Sequence, residues 1–188
     1  MDIPISQLLA AAGTRALPVV DGITEDRFAE PTPCADYTVA DLANHLYLVV
    51  VNFQVLAAKG SVDWTVPADY LHGDWRKQFA AEVDNLVTAW AAPDSEEGVS
   101  PGWGIASRTV GHMALLDLTL HAWDLARATG QSYEPAPEAV AEIGVFIDAM
   151  APMARDNKVF GPEFPVPADA PAFARVLGAA GRNPDWKA

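Results

Sequence analysis

The stretch Met113-Ala-Leu-Leu-Asp-Leu-Thr-Leu-His-Ala-Trp-Asp-Leu-Ala-Arg127 is apolar on almost every side. A helix of that kind has to be buried, so the rest of the chain must wrap around it. At about 100° per residue, Asp117 and His121 stand one above the other on a single face, and Asp124 continues the stripe one turn further on. Burying an ionised carboxylate is costly unless something pairs with it. A divalent metal, shared with a third ligand from another helix, would supply that pairing.

The remaining segments read as helices. Residues 4 to about 22 place Ile5, Leu8, Leu9, Ala12, Val19 and Val20 near a 3.6-residue period, with Pro18 expected to kink or end the helix. The prolines at 31 and 33 forbid helix in the connector, and Thr38-Val-Ala-Asp41 then has the form of a capping box. A second helix follows to about Ala58, with Leu42, His45, Leu46, Val49, Phe53 and Leu56 on one face and Gly60 past its end. A third, about Asp74 to Ala91, turns Phe79, Val83, Leu86, Val87 and Trp90 inward. The fourth runs from about Ile105 to Thr129, with Gly130 as its C-cap. A fifth, of about 17 residues, follows Pro137 and uses Val140, Ile143, Ile147 and Met150. From Pro152 the chain becomes proline-dense and extended, then forms a short helix over 172–177. The expectation is one all-α domain over 1–188. Four long helices pack as a bundle, with an extra helix and, from about 155, a proline-rich tail packed on it.

Charge and composition narrow the partners. A net charge of -13 with scattered Lys and Arg argues against nucleic acid and against an anionic membrane. The single cysteine, Cys34, excludes an intramolecular disulfide and a multi-cysteine zinc knuckle. The N-terminus lacks the pattern of a secretory signal, and the longest uninterrupted apolar run, 46–51, falls short of a membrane span. These features predict a soluble, cytoplasmic protein.

If the second and fourth helices are neighbours, His45 faces the Asp117–His121 pair across the core. Two His and one carboxylate make a three-ligand site with open positions, as catalytic metals use. Zn²⁺ suits such a nitrogen–oxygen set, and Ni²⁺ and Fe²⁺ also accept it. Asp124 is read as a structural partner of Arg127 or Arg108, with a role orienting His121 as the competing reading. Asp41 is read as a cap rather than a support for His45. Cys34 is read as packed and inert. His112 stands about 180° round the helix from His121 and is excluded from the site, as is His72. Trp64 and Trp103, in loops, are candidates for a pocket mouth.

The segments Pro31-Thr-Pro-Cys-Ala-Asp-Tyr-Thr-Val-Ala-Asp-Leu-Ala-Asn-His45 and His121-Ala-Trp-Asp-Leu-Ala-Arg-Ala-Thr-Gly130 resemble the metal-binding domain of mycothiol-dependent maleylpyruvate isomerases, within the DinB-like group of helical bundles. The closing Phe160-Gly-Pro-Glu-Phe-Pro-Val-Pro-Ala-Asp-Ala-Pro171 and Gly181-Arg-Asn-Pro-Asp-Trp186 resemble short, stand-alone actinobacterial members. The resemblance implies a metal held by His45, Asp117 and His121, with Asp117 where the isomerase has Glu. It also implies mycothiol as cosubstrate, with a small-molecule electrophile as partner. The isomerase carries a further C-terminal domain, so the fold and metal site are carried over and the isomerisation itself is not.

Three functional expectations follow. The first is a mycothiol-dependent thiol transferase- or isomerase-like enzyme, its substrate and its catalytic and cofactor-contacting residues unassigned. The second is a non-catalytic metal-binding accessory in stress or detoxification. The third is a metal-free helical interaction module. By analogy with related bundles, a homodimer is the expected assembly.

Overall fold

A computed structural model describes residues 2–67, 69–101 and 103–187. Six α-helices are present: α1 (Ile5–Asp21), α2 (Val39–Ala57), α3 (Trp75–Trp90), α4 (Ser107–Thr129), α5 (Pro137–Asp156) and α6 (Ala172–Ala179), with a 3-10 turn at Glu25–Arg27. Among the described residues no strand forms; only two isolated bridges do, Pro31 with Thr38 and Val99 with Ala106. The architecture is all-α.

α1 and α2 each pack against both α3 and α4, so α1 lies opposite α2 and α3 opposite α4. α5 leans on α4 and α1 from outside this ring, and α6 packs on α5. The predicted inward positions of α1 and α2 are buried, His45 excepted, which is half-buried on the bundle flank. Sixteen of the 23 residues of α4 are buried, which is why its sequence carries no polar face. Each fully buried Leu or Ile is worth about 1.5–3 kcal/mol, whereas a cap is worth about 1. Packing therefore holds these helices, and caps set where they begin and end.

The end signals are mostly as expected. Thr38 accepts from the Asp41 backbone N–H, and Asp41 accepts from the Thr38 backbone N–H, completing the capping box. Gly130 closes α4 in the left-handed region, with φ of 72°, and Gln131 N–H donates back to the Ala126 carbonyl. The prolines behave differently. Pro18 ends nothing: α1 continues to Asp21. α5 likewise runs through Pro152 to Asp156, 20 residues rather than about 17. Each proline sits within the last turn or so, where the loss of a single N–H is offset by the packed face of its helix.

α2 is, among the described residues, the one helix long and apolar enough to cross a membrane, with a mean hydropathy of 1.3. Half of that window is buried inside the protein, as in a core helix. The apolar run itself stops at Asn52, so run length and helix-averaged hydropathy differ here.

The tail returns across the open end of the bundle. Phe160 and Trp186 are half-buried against the core, and Phe164 N–H donates to the Gly178 carbonyl at 2.9 Å. Phe164 itself is 36% exposed, so this stretch is held by its backbone contact to Gly178.

Candidate metal centre

Three segments converge on one cavity of about 1030 Å³. The connector before α2 contributes Cys34 and Tyr37, α2 contributes His45, and α4 contributes Asp117 and His121. The end of α5 and the tail complete the lining, with Arg155, Lys158, Phe160 and Arg182. The three predicted donors therefore share one cavity.

Their spacing is specific. The His45 and His121 rings meet edge to face with centroids 5.1 Å apart. His121 Nε2 lies 3.8 Å from Asp117 Oδ1, too far for a hydrogen bond. Donors bound at about 2.0–2.2 Å to one tetrahedral metal stand somewhat closer than this, so a small rotation of either side chain would bring the pair to coordination distance. His45 has no hydrogen-bond partner for its ring nitrogens among the described residues. Its face is backed instead by Tyr37, stacked at 5.3 Å, a support that spacing along the chain gave no reason to predict.

Electrostatics reinforces this arrangement. Burial, then the neighbouring His121, pushes the His45 pKa down to about 4, so the imidazole is neutral with a lone pair available. Burial holds the Asp117 carboxyl above its ordinary range, against the opposing pull of His121 and Arg182. An unpaired carboxyl of this kind, beside a neutral imidazole without a partner, is a donor set that suits a divalent cation.

His121 is fixed from behind. Its Nδ1 lies 3.0 Å from Asp124 Oδ2, and Asp124 is fully buried. Burial disfavours the charge on Asp124, but Arg182 and His121 together outweigh it and hold the carboxyl below the usual range. An ionised carboxylate only accepts, so Nδ1 carries a proton, and in the neutral imidazole Nε2 presents its lone pair to the cavity.

The predicted partners of Asp124 are corrected. Arg108 pairs instead with Glu96, which also accepts from the Ile5 N–H at 2.8 Å. Arg127 donates to the Trp186 carbonyl. The partner is Arg182, whose Nε reaches both oxygens at 3.0 and 3.1 Å and whose Nη2 donates at 2.8 Å. A residue 58 positions away leaves no periodic signal, and only the Gly181-to-Trp186 motif pointed to that region.

Cys34 needs a fuller account than its sequence context suggests. Its ligand atom and those of His121 and Asp124 all lie within 4.8 Å of one another, the one such group among the described residues; His45, Asp117 and His121 do not form one as they stand. Thr32, buried, bonds to the Cys34 N–H and to the Cys34 carbonyl, so the connector is rigid here. Burial pushes the thiol up to about 11, so on its own Cys34 is a poor nucleophile. Asp124 already spends both oxygens on Arg182 and His121, which leaves it unsuited to a metal.

Other residues lie outside the site. His112 bonds Glu142 at 3.3 Å and stacks on Phe146. His72 is exposed beside Asp69. Trp64 and Trp103 do not line the cavity mouth; they stack on each other at 6.2 Å and both meet Phe53 edge-on.

Comparison with known proteins agrees with the fold. Two uncharacterized proteins of Mycobacterium tuberculosis, from strains CDC 1551 and H37Rv, are each 30% identical over 164 residues, covering 86% of this chain and 88% of theirs. No solved structure matches the chain significantly. The family described as the mycothiol maleylpyruvate isomerase N-terminal domain matches residues 9–126, a span that takes in most of α1, all of α2 and α3, most of α4, and the positions of His45, Asp117 and His121. The chain therefore belongs to the mycothiol maleylpyruvate isomerase N-terminal domain family.

Proposed function

We propose that this protein binds a divalent metal, zinc by preference, through His45, Asp117 and His121, and uses it to activate a low-molecular-weight thiol of the mycothiol class toward an electrophile. The observation that carries the proposal is the pose of His121. Asp124 holds one ring nitrogen, and the other is aimed at Asp117 across 3.8 Å beside the His45 ring. When bound there, the metal makes a coordinated thiol acidic enough to ionise at neutral pH.

The chain's own residues do the rest. Asp124 holds the His121 ring at Nδ1, and Tyr37 backs the His45 ring. Arg155 and Lys158 add positive charge to the lining of the same cavity. Cys34 is too weakly acidic to be the nucleophile itself, which fits a thiol supplied from outside. Thiol chemistry of this kind requires a reducing compartment, so the cytoplasm is the proposed place of action.

The test begins with elemental analysis of untagged protein purified without chelators. About one metal per chain is expected. Metal-free protein that also refuses Zn²⁺ and Co²⁺ in calorimetry would leave the helical interaction module as the reading. The thiol part is tested on Co²⁺-loaded protein in a Cys34→Ser background, so that the protein's own sulfur is silent. Mycothiol should add a sulfur-to-cobalt absorption band, and an unchanged spectrum rules the thiol out. Turnover with a model electrophile then separates an enzyme from an accessory metal-binding protein.

A further inference from the structure

The six residues Gly181-Arg-Asn-Pro-Asp-Trp186 form a compact turn after α6 that the packing of the bundle does not itself require. We propose that this segment is a working part of the metal centre, in which Arg182 is a positioning residue that sets the tautomer and aim of His121 through Asp124. The proposal rests on the metal reading above and extends it to a segment outside the 9–126 family match.

The local structure shows how the segment is built for this. Gly181 follows α6 with φ of 81°, and the Arg182 N–H donates back to the Leu177 carbonyl at 2.8 Å. That is a Schellman ending, which needs a residue tolerant of the left-handed region. A Cβ on Gly181 would also stand 3.0 Å from the Pro162 carbonyl oxygen and 3.2 Å from that of Gly161, both on the cavity wall. The turn beyond is tied by Asp185 N–H to Asn183 Oδ1 at 2.9 Å and by Trp186 N–H to the Asn183 carbonyl at 3.0 Å. Arg127 on α4 then grips the Trp186 carbonyl. Both ends of the segment are thus pinned, one against the cavity wall and one to α4.

Between those anchors Arg182 is delivered beneath Asp124, 8% exposed. Its fork occupies both carboxylate oxygens, and Nη1 is spent on the Ala180 carbonyl at 3.3 Å. A lone ion pair would be satisfied by any geometry. Here Oδ2 also meets His121 Nδ1 at 3.0 Å, so the carboxylate cannot rotate without breaking either contact. With Nδ1 fixed as a donor, the Nε2 edge is turned toward Asp117 and is the acceptor of the neutral ring. Outer partners of this type tune the affinity of metal-ligating histidines.

The test compares the full chain with Arg182→Lys and Arg182→Gln. Zn²⁺ affinity is measured by competition with a chromophoric chelator, helicity by circular dichroism, and the His121 tautomer by ¹⁵N NMR on metal-free protein. Arg182→Gln should weaken Zn²⁺ binding about 10- to 100-fold. It should also convert a single Nδ1–H tautomer into a mixture. Arg182→Lys keeps the charge but not the fork and should fall between. If the Gln variant does not fold, the Lys variant decides. Wild-type affinity with an unchanged tautomer in the folded variants overturns the proposal. If the wild-type chain binds no metal but the tautomer still shifts, the metal reading falls and the positioning role of Arg182 stands.

Discussion

Asp124 and His121 meet at 3.0 Å inside the protein, and that contact divides the imidazole into a fixed edge and a free edge. The fixed edge belongs to a buried network ending in Arg182. The free edge faces a carboxyl and a second imidazole whose side chains make no hydrogen bond among the described residues.

Asp117→Asn should abolish stoichiometric metal while leaving helicity intact. In metal-free protein the same change should stabilise the fold, because burial disfavours the Asp117 charge. A gain of about 1 kcal/mol raises the melting temperature of a chain this size by roughly 2–4 °C. Thermal melts with and without chelator measure both effects. A lowered melting temperature in chelator would show that the carboxylate is already paired within the protein.

Acid should destabilise the metal-free protein between about pH 6.5 and 4. The folded pKa of His45 is depressed to about 4, so the unfolded chain binds more protons in that window and stability falls as pH falls through it. The full effect is on the order of 3 kcal/mol. Asp117, with its raised pKa, acts in the opposite sense, losing stability as pH rises. His45→Gln should therefore flatten the acid limb in urea melts taken across this range. A slope equal to that of the wild type would place the titrating group elsewhere.

Thr38→Ala should cost about 1 kcal/mol, the usual worth of such a cap. The capping box starts the helix that carries His45, but His45 lies in the second turn, held by packing and by Tyr37. A lower melting temperature with nearly unchanged Zn²⁺ affinity is expected. A tenfold loss of affinity would show that the cap also sets the ligand's position.

Gly111→Ala tests the packing of α1 against α4. A Cβ there would stand 2.8 Å from Ile5 Cγ2 and 3.0 Å from Trp90 Cζ3. Overpacking of this kind costs about 1–3 kcal/mol. The melting temperature should drop by several degrees while the site, further along α4, keeps its metal affinity.

The amphipathic periods of α1, α2, α3 and α5, the all-apolar α4, the Thr38 capping box and the Gly130 end were all legible in the chain, because local backbone preference and a buried stripe repeat at short range. The pairing of Asp117 with His121 was legible for the same reason, being one helical turn. Pro18 and Pro152 were misleading, since tertiary packing outweighed a lost hydrogen bond near a helix end. What only the tertiary structure decided was everything carried by distant contacts. Tyr37 behind His45, Cys34 beside His121 and the choice of Arg182 over Arg108 or Arg127 all depend on how the connector and tail fold across the bundle. A buried charge requires a partner, and that requirement can be read from Asp124 in the sequence. Which of twelve basic residues meets it depends on chain path, and no local pattern records that.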